Sequence, residues 1–382
     1  MRVLHICCNL AGSTVFPQLF EALHAAGLEQ EVFVPERRES DMNRNVPRGV
    51  PTHYALTVRA SDMLLFFRKA QRSVPAIERA VDMKRVTLVH AHTLFTDGSI
   101  ALELSRRWGV PYAVTLRYSD IEAIWKYEPH LRPLARSILR GAERVVFLSA
   151  AARDKVLTRW LSARDRAALE QKTEIIPNGI DPAWLTGVPR GALGGTVRVG
   201  FAGRLLVRKR PLDALAAVHA ADDADAGRRF VLRVCGAGAL EKRLRDGLRE
   251  GDELLGSAQG MEAMKRFYAA CDVLLVPSKA ETFGMVYLEA MSQGVPVIYT
   301  RGQGFDGQFP EGEVGFSVAC GDVQEQAQRL LALCEDYEAR SARCIARAQE
   351  YAWPRVAQRW LALYARVCVA QEGRMQDGAE KR

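Results

Sequence analysis

Short apolar, β-branched runs alternate with longer stretches of helical spacing along the whole chain. In the first half the apolar runs fall at residues 3–7, 31–34, 88–91, 112–115 and 145–148. Residues 16–26 repeat their apolar positions at helical intervals and stop at Gly27. The second half reads the same way, with strands at 197–202, 230–234, 273–276 and 295–299. Helices fit 212–220, 240–250, 261–270 and 284–293, and an amphipathic stretch at 353–369 closes the pattern. Strands that alternate with helices predict parallel sheets covered on both faces. The expected fold class is α/β: two Rossmann-like, doubly wound domains, with a C-terminal helix free to cross back to the first. Ligands of such sheets bind beyond the carboxyl ends of the strands.

Turn formers mark the join. Residues 176–195 carry IIPNGIDP followed by Gly187, Pro189, Gly191, Gly194 and Gly195, a run that separates two strand-rich regions. The expected division is 1–185, 186–352, and a third segment, 353–382, of helix and polar tail, the tail fraying from residue 371. Two such halves facing each other across a hinge leave a cleft where helix N-termini and strand ends converge, a setting for nucleotides. Architecture alone reaches only "nucleotide or sugar between two domains".

Composition narrows the class. A chain of 382 residues, 48% apolar and 26% charged, suits two globular domains and excludes disorder, collagen and a small disulfide scaffold. No stretch approaches 18 uninterrupted apolar residues, as a membrane-spanning helix requires. The opening MRVLHICCNLAG is interrupted by His5 and Asn9, which suits a strand and loop better than a signal peptide. The eight cysteines form no CxxC, so neither a zinc site nor a redox pair is expected. They read as small buried thiols of a cytoplasmic protein. The net charge of +8 is uneven: the first 190 residues hold 27 Lys and Arg against 20 Asp and Glu, the remainder 26 against 25. A basic half suits nucleic acid, an anionic membrane or a charged substrate, and does not choose among them.

Two segments carry candidate chemistry. Gly203-Arg204-Leu205-Leu206-Val207-Arg208-Lys209 follows a predicted strand and leads into a helix. It places cations at a sheet's carboxyl edge, where a fork-shaped guanidinium and a mobile ammonium can grip a diphosphate. A solvated basic turn has the same composition. The second runs from Glu281-Thr282-Phe283-Gly284-Met285 to Glu289. A helix starting near Thr282–Gly284 exposes free backbone N–H groups, with Glu281 in the turn and Glu289 about two turns along. Such carboxylates can accept from sugar and ribose hydroxyls, and an ordinary helix carrying one surface glutamate fits the spacing too.

The two glutamates, set in Pro277-Ser278…Glu281-Thr282-Phe283-Gly284…Glu289-Ala290…Gly294-Val295-Pro296-Val297, resemble family 4 of the retaining glycosyltransferases (group 1), of GT-B fold. GFAGRLLVRKRP, IIPNGID, residues 272–278 and the closing Trp353…Tyr364 helix resemble the same family, so the likeness spans most of the chain. It implies an acceptor-binding first domain and a nucleotide-sugar-binding second one. Arg204 and Lys209 match the pair that neutralises the donor diphosphate. Glu281 matches the glutamate against the donor sugar, read in the family as catalytic, and Glu289 the one holding the ribose. The backbone of Phe283, Gly284 and Met285, beside Thr282, matches the amides facing sugar and phosphate. Gly12, with Ser13, matches the glycine loop after the first strand, although Ala11 stands where a second glycine is usual. Asn178 and Gly179 fall at the family's interdomain hinge.

The implied activity is hexosyl-type transfer from a nucleotide-sugar, with retention, to a saccharide acceptor. A lipid-linked acceptor in lipopolysaccharide or exopolysaccharide assembly is preferred, from family habit and the basic first half. No cofactor and no metal are expected, since side-chain cations take the metal's place. The chain departs from its relatives after residue 115, where they commonly carry histidine and this sequence has Leu116-Arg117-Tyr118-Ser119-Asp120. Arg117 could pair with a sugar carboxylate, contact phosphate, or only meet Asp120. His90 and His92 point to one side of a strand. No third ligand to make them a metal site is evident in the sequence, and His92 could line the acceptor site, with Asp97 and Gly98 following in a plausible cleft loop. Arg132, Arg136, Arg140 and Arg144 make a basic stripe beside Leu134, Ile138 and Leu139, and residues 61–74 set Leu64, Leu65, Phe66 and Phe67 ahead of Arg68, Lys69 and Arg72. Such faces can rest on anionic lipid at the inner membrane surface or simply cover a core. Nothing resembles a nucleic-acid module. The rivals are a GT-B sugar-nucleotide epimerase, a transferase making a soluble product, a non-catalytic nucleotide-sugar sensor, and a nicotinamide oxidoreductase. The last is disfavoured because the turn after the first strand has no GxGxxG.

Overall fold

The computed structural model describes residues 1–63, 66–117 and 119–380. Leu64 and Leu65 of the apolar-basic stretch, Tyr118, and the last two residues lie outside the described residues. The chain divides into two compact units, one of Met1–Leu148, Arg153–Gly179 and Trp353–Arg382, the other of Ser149–Ala152 and Ile180–Ala352.

The first unit contains strands Arg2–Ile6 (β1), Glu29–Glu36 (β2), Thr52–Leu56 (β3), Leu88–Ala91 (β4), Tyr112–Leu116 (β5), Arg144–Phe147 (β6) and Thr173–Ile175 (β7). They form one sheet in the order β3-β2-β1-β4-β5-β6-β7, parallel throughout. β4 and β5 are buried at every position, as expected of strands covered on both faces. Helix Val15–Ala25 buries Phe16, Leu19, Phe20 and Leu23. The last helix, Trp353–Glu380, adds Trp353, Val356, Trp360, Leu363, Tyr364 and Val367 to the same core, one face at three- and four-residue spacing. Trp353 Nε1 donates to Gln18 Oε1 at 2.8 Å. A Cβ on Gly179 would lie 2.4 Å from the Trp353 ring, so only glycine fits there. Periodicity ends this helix at residue 369, but backbone hydrogen bonding carries it to Glu380.

The second unit contains Thr196–Ala202 (β8), Arg229–Cys235 (β9), Glu253–Leu254 (β10), Val273–Leu275 (β11), Val297–Thr300 (β12) and Gly315–Val318 (β13), in the order β10-β9-β8-β11-β12-β13 and again all parallel. Helices Pro211–Ala224, Met261–Ala269 and Met285–Met291 fall where the pattern puts them. The helix expected over 240–250 is short, Glu241–Arg245. Gly247 and Gly251, the latter at φ +94°, favour turns over a continuing helix.

Candidate active site

In each sheet the connections reverse direction between two neighbouring strands, β8 and β11 in the second unit, β1 and β4 in the first. Loops leaving such a pair diverge and open a crevice at the carboxyl edge.

In the second unit Lys209 and Glu281 form an ion pair across that crevice, each side chain 15% exposed. Lys209 ends a 3₁₀ turn, Val207–Lys209, after which left-handed Arg210 and Pro211 start the next helix. Arg204 is exposed, and among the described residues its guanidinium takes no ion pair. Glu281 is fixed by its backbone: its N–H donates to Gln303 Oε1 at 3.2 Å and its carbonyl accepts from Gly304 at 3.0 Å. A Cβ on Gly304 would lie 2.0 Å from the Thr282 carbonyl oxygen, so this approach requires glycine. Glu281 Oε1 also accepts from Thr282 N–H at 3.2 Å. Gly284, at φ +87°, caps the helix Met285–Met291. The amides of Phe283, Gly284 and Met285 lie at its start, where no carbonyl a turn earlier can receive them. Phe283 anchors the turn against Phe305 and Tyr351. Glu289, one face further into the unit, accepts from Tyr268 Oη at 2.9 Å. Burial pushes its carboxyl up, against the lowering effect of the tyrosine bond. The sequence did not single out Tyr268, which occupies an ordinary apolar helix position.

In the first unit Gly12 has open space where a Cβ would stand. Ser13 N–H donates to the Leu10 carbonyl at 3.2 Å, and Ser13 Oγ accepts from Val15 N–H at 3.2 Å. Asn45, left-handed at φ +55°, donates from Nδ2 to the carbonyls of Leu10, Ala11 and Ser13 at 3.3, 2.9 and 3.2 Å. Its only sequence signal is that asparagine tolerates this conformation.

His90 and His92 do face one side, with ring centroids 4.0 Å apart, but two expectations about them change. Neither borders an open site, because both are fully buried. A third imidazole is present: His5, on the neighbouring strand, brings a ligand atom within 4.8 Å of both. Sequence distance hid it. His5 Nδ1 and His92 Nε2 lie 3.0 Å apart, while His90 meets Tyr364 Oη through Nδ1 and Thr115 Oγ1 through Nε2, both at 2.8 Å. Burial drives all three towards the neutral form, His5 to about 3. Neutral imidazoles are the ligating form, yet a metal here would have to displace the existing bonds of His90, and the cluster packs as core.

Arg117 is partly buried. It donates from Nη1 to Asn178 Oδ1 at 3.0 Å and from Nε to the His92 carbonyl at 3.4 Å, and its guanidinium lies 4.6 Å from the Phe16 ring centroid. Asp120 receives the Arg117 backbone N–H, at 2.8 Å, and not the guanidinium. Of the basic stripe, Arg140 is paired with Asp165 and Arg144 with Glu174, Arg132 lies over Trp125, and Arg136 is exposed. Among the described residues no helix is long and apolar enough to cross a membrane.

Residues 191–351 match the family model "Glycosyl transferases group 1" and residues 11–179 match "Glycosyl transferase 4-like domain". Two parallel α/β units with these matches define a glycosyltransferase of GT-B fold. The chain belongs to the glycosyl transferases group 1. It is similar to a D-inositol 3-phosphate glycosyltransferase of Pseudarthrobacter chlorophenolicus, 27% identical over 369 residues that take up 89% of this chain and 86% of that protein. Its fold resembles HepE of Anabaena in complex with UDP, with TM-score 0.72, 17% identity, and 96% and 100% of the two chains covered. It also resembles the lipopolysaccharide outer core galactosyltransferase WaaB, with TM-score 0.74, 14% identity, and 95% and 99% covered.

Proposed function

We propose that this glycosyltransferase moves a hexosyl group from a nucleotide-diphosphate sugar to a saccharide acceptor with retention of configuration. The observation that carries the reading is the Lys209–Glu281 pair spanning the second unit's crevice beside exposed Arg204. Breaking the bond between the anomeric carbon and the diphosphate leaves negative charge on phosphate and partial positive charge on the sugar. Arg204 and Lys209 stabilise the leaving phosphate as that charge grows, aided by the amides of Phe283, Gly284 and Met285. The departing phosphate oxygen takes the proton of the acceptor hydroxyl, which attacks from the same face. Glu281 holds Lys209 at the sheet edge and accepts from the donor sugar, with Thr282 beside it. Glu289 accepts from the ribose diol, and Gly12 and Ser13 belong to the same proposal as donor-binding residues. The reading needs neither metal nor cofactor.

A lipid-linked acceptor in lipopolysaccharide or exopolysaccharide assembly belongs to the same proposal, supported by the likeness to WaaB. Contact with an anionic inner membrane face from the cytoplasm is supported by the basic first half and exposed Arg136. Arg117 and His92 serve the acceptor side indirectly, by holding its loops.

Thermal stabilisation by UDP, GDP, ADP, UDP-glucose, UDP-N-acetylglucosamine and GDP-mannose tests the donor site. A ligand at about 100 times its dissociation constant adds roughly 2.7 kcal/mol. A shift with one nucleotide family, weakened in Glu289→Ala, supports the reading. A folded protein unmoved by all six refutes it, and diphosphate release that yields an epimerised free sugar would favour the epimerase alternative.

A further inference from the structure

The loops at the carboxyl edge of the first sheet are tied by two buried carboxylates. Asp97, fully buried in the first turn of helix Thr96–Trp108, accepts the Cys8 N–H through Oδ1 at 3.0 Å. That bond joins the loop after β1 to the segment after β4, across the crevice where the connections reverse. Asp120, 1% exposed, accepts from Leu94 N–H at 3.1 Å and Arg117 N–H at 2.8 Å through Oδ2. It joins the segment after β4 to the loop after β5, and Arg117 continues the chain of contacts to Asn178. The second oxygen of each carboxylate, Asp97 Oδ2 and Asp120 Oδ1, meets no donor among the described residues.

We infer that Asp97 and Asp120 are positioning residues of the transfer reaction: they hold the loops after β1, β4 and β5 in the geometry the reaction requires. The inference rests on the donor reading above, through Gly12 and Ser13 in the first of those loops. Neither carboxylate touches substrate. Their effect is geometric, and loops free to shift by an ångström slow a positioned reaction on the order of 100-fold.

The test compares Asp97→Ala, Asp97→Asn, Asp120→Ala and Asp120→Asn with Glu103→Ala, a control on the same helix as Asp97. The asparagine variants keep one acceptor oxygen and replace the other carboxylate oxygen by a donor. The probes are UDP-glucose, UDP-N-acetylglucosamine and GDP-mannose with water as acceptor, read as diphosphate release, together with amide exchange over residues 7–13 and 92–96. Alanine should lower kcat 10- to 100-fold and speed exchange in the tied loop, while far-ultraviolet circular dichroism stays unchanged. Asparagine should restore both to within about threefold of wild type, a rescue that a bulk folding defect would not give. Should the alanine variants fail to fold, the asparagine pair still decides: a loss of kcat as large as 10-fold there overturns the inference. Active wild type with equally active alanine variants overturns it while the donor reading stands. Wild type inert towards all three probes overturns both.

Discussion

Replacing Asp97 by asparagine should change how the first unit's stability depends on pH, and by a calculable amount. Burial pushes the Asp97 carboxyl up to about 7, against the lowering effect of its bonds to Cys8 and Thr93, and Asp120 nearby adds to the rise. In the unfolded chain the same group titrates near its ordinary value, about 3.9. Below that value both states are protonated and the full contribution of the neutral acid is present. As pH rises through the interval the unfolded state ionises first, so stability falls by about 1.4 kcal/mol per unit until the folded group ionises near 7. Between pH 4.5 and 7.5 the loss amounts to about 3 kcal/mol, and the asparagine variant does not suffer it. Asp97→Asn should therefore gain on wild type by about 3 kcal/mol as pH rises across that window. Other groups, including the three histidines, titrate in both proteins and cancel in the difference. Five of the chain's six tryptophans, Trp108, Trp125, Trp160, Trp353 and Trp360, lie in the first unit, so denaturant melts followed by tryptophan emission report mainly on it. Parallel stability curves, differing by a constant within about 0.5 kcal/mol from pH 4.5 to 7.5, would refute the assigned environment of Asp97.

Three further outcomes are expected. Lys209→Ala should lower transfer on the order of 10²- to 10³-fold with little change in melting temperature, measured as diphosphate release; a loss under threefold would remove Lys209 from the chemistry. Gly304→Ala forces a Cβ to 2.0 Å from the Thr282 carbonyl and should cost about 1–3 kcal/mol while displacing Glu281, so turnover should fall together with thermal stability. Deleting residues 353–382 removes six large apolar side chains from the first core, each contributing roughly 2 kcal/mol. That sum approaches the whole stability of a typical domain, and the truncated chain should expose its first unit to rapid proteolysis while residues 180–352 stay resistant.

The interior of both sheets was legible from pattern, and their edges were not. β3, β7, β10 and β13, the four strands absent from the sequence expectation, are the outer strands of the two sheets. Thr52–Leu56 is only half buried and reads THYAL, and Glu253–Leu254 is two residues long. Outer strands need no continuous apolar run, because only one neighbour and often one face cover them. The proposed donor-side residues could be singled out in the sequence because their chemistry and spacing are local: Arg204 and Lys209 share one loop, Glu281 and Glu289 one turn and helix. What joins distant segments was not. His5 meets His92 across 87 positions, Tyr268 reaches Glu289, and Asn45 clamps a loop more than thirty residues earlier. Each is an unremarkable residue until the sheet brings its partner alongside.

The last helix has a consequence for synthesis. Its apolar face completes the first unit's core, although residues 180–352, the bulk of the second unit, are translated before it. In the order of emergence from the ribosome, the second unit is an insertion that can finish while the first still waits for its final segment. Domains commonly fold from the N-terminus as they appear. Here the N-terminal piece must remain open, with the apolar faces of β1 and the helix Val15–Ala25 uncovered, until the helix that begins at Trp353 arrives. The period of greatest exposure to aggregation thus falls after the second unit has been made, and it falls on the first.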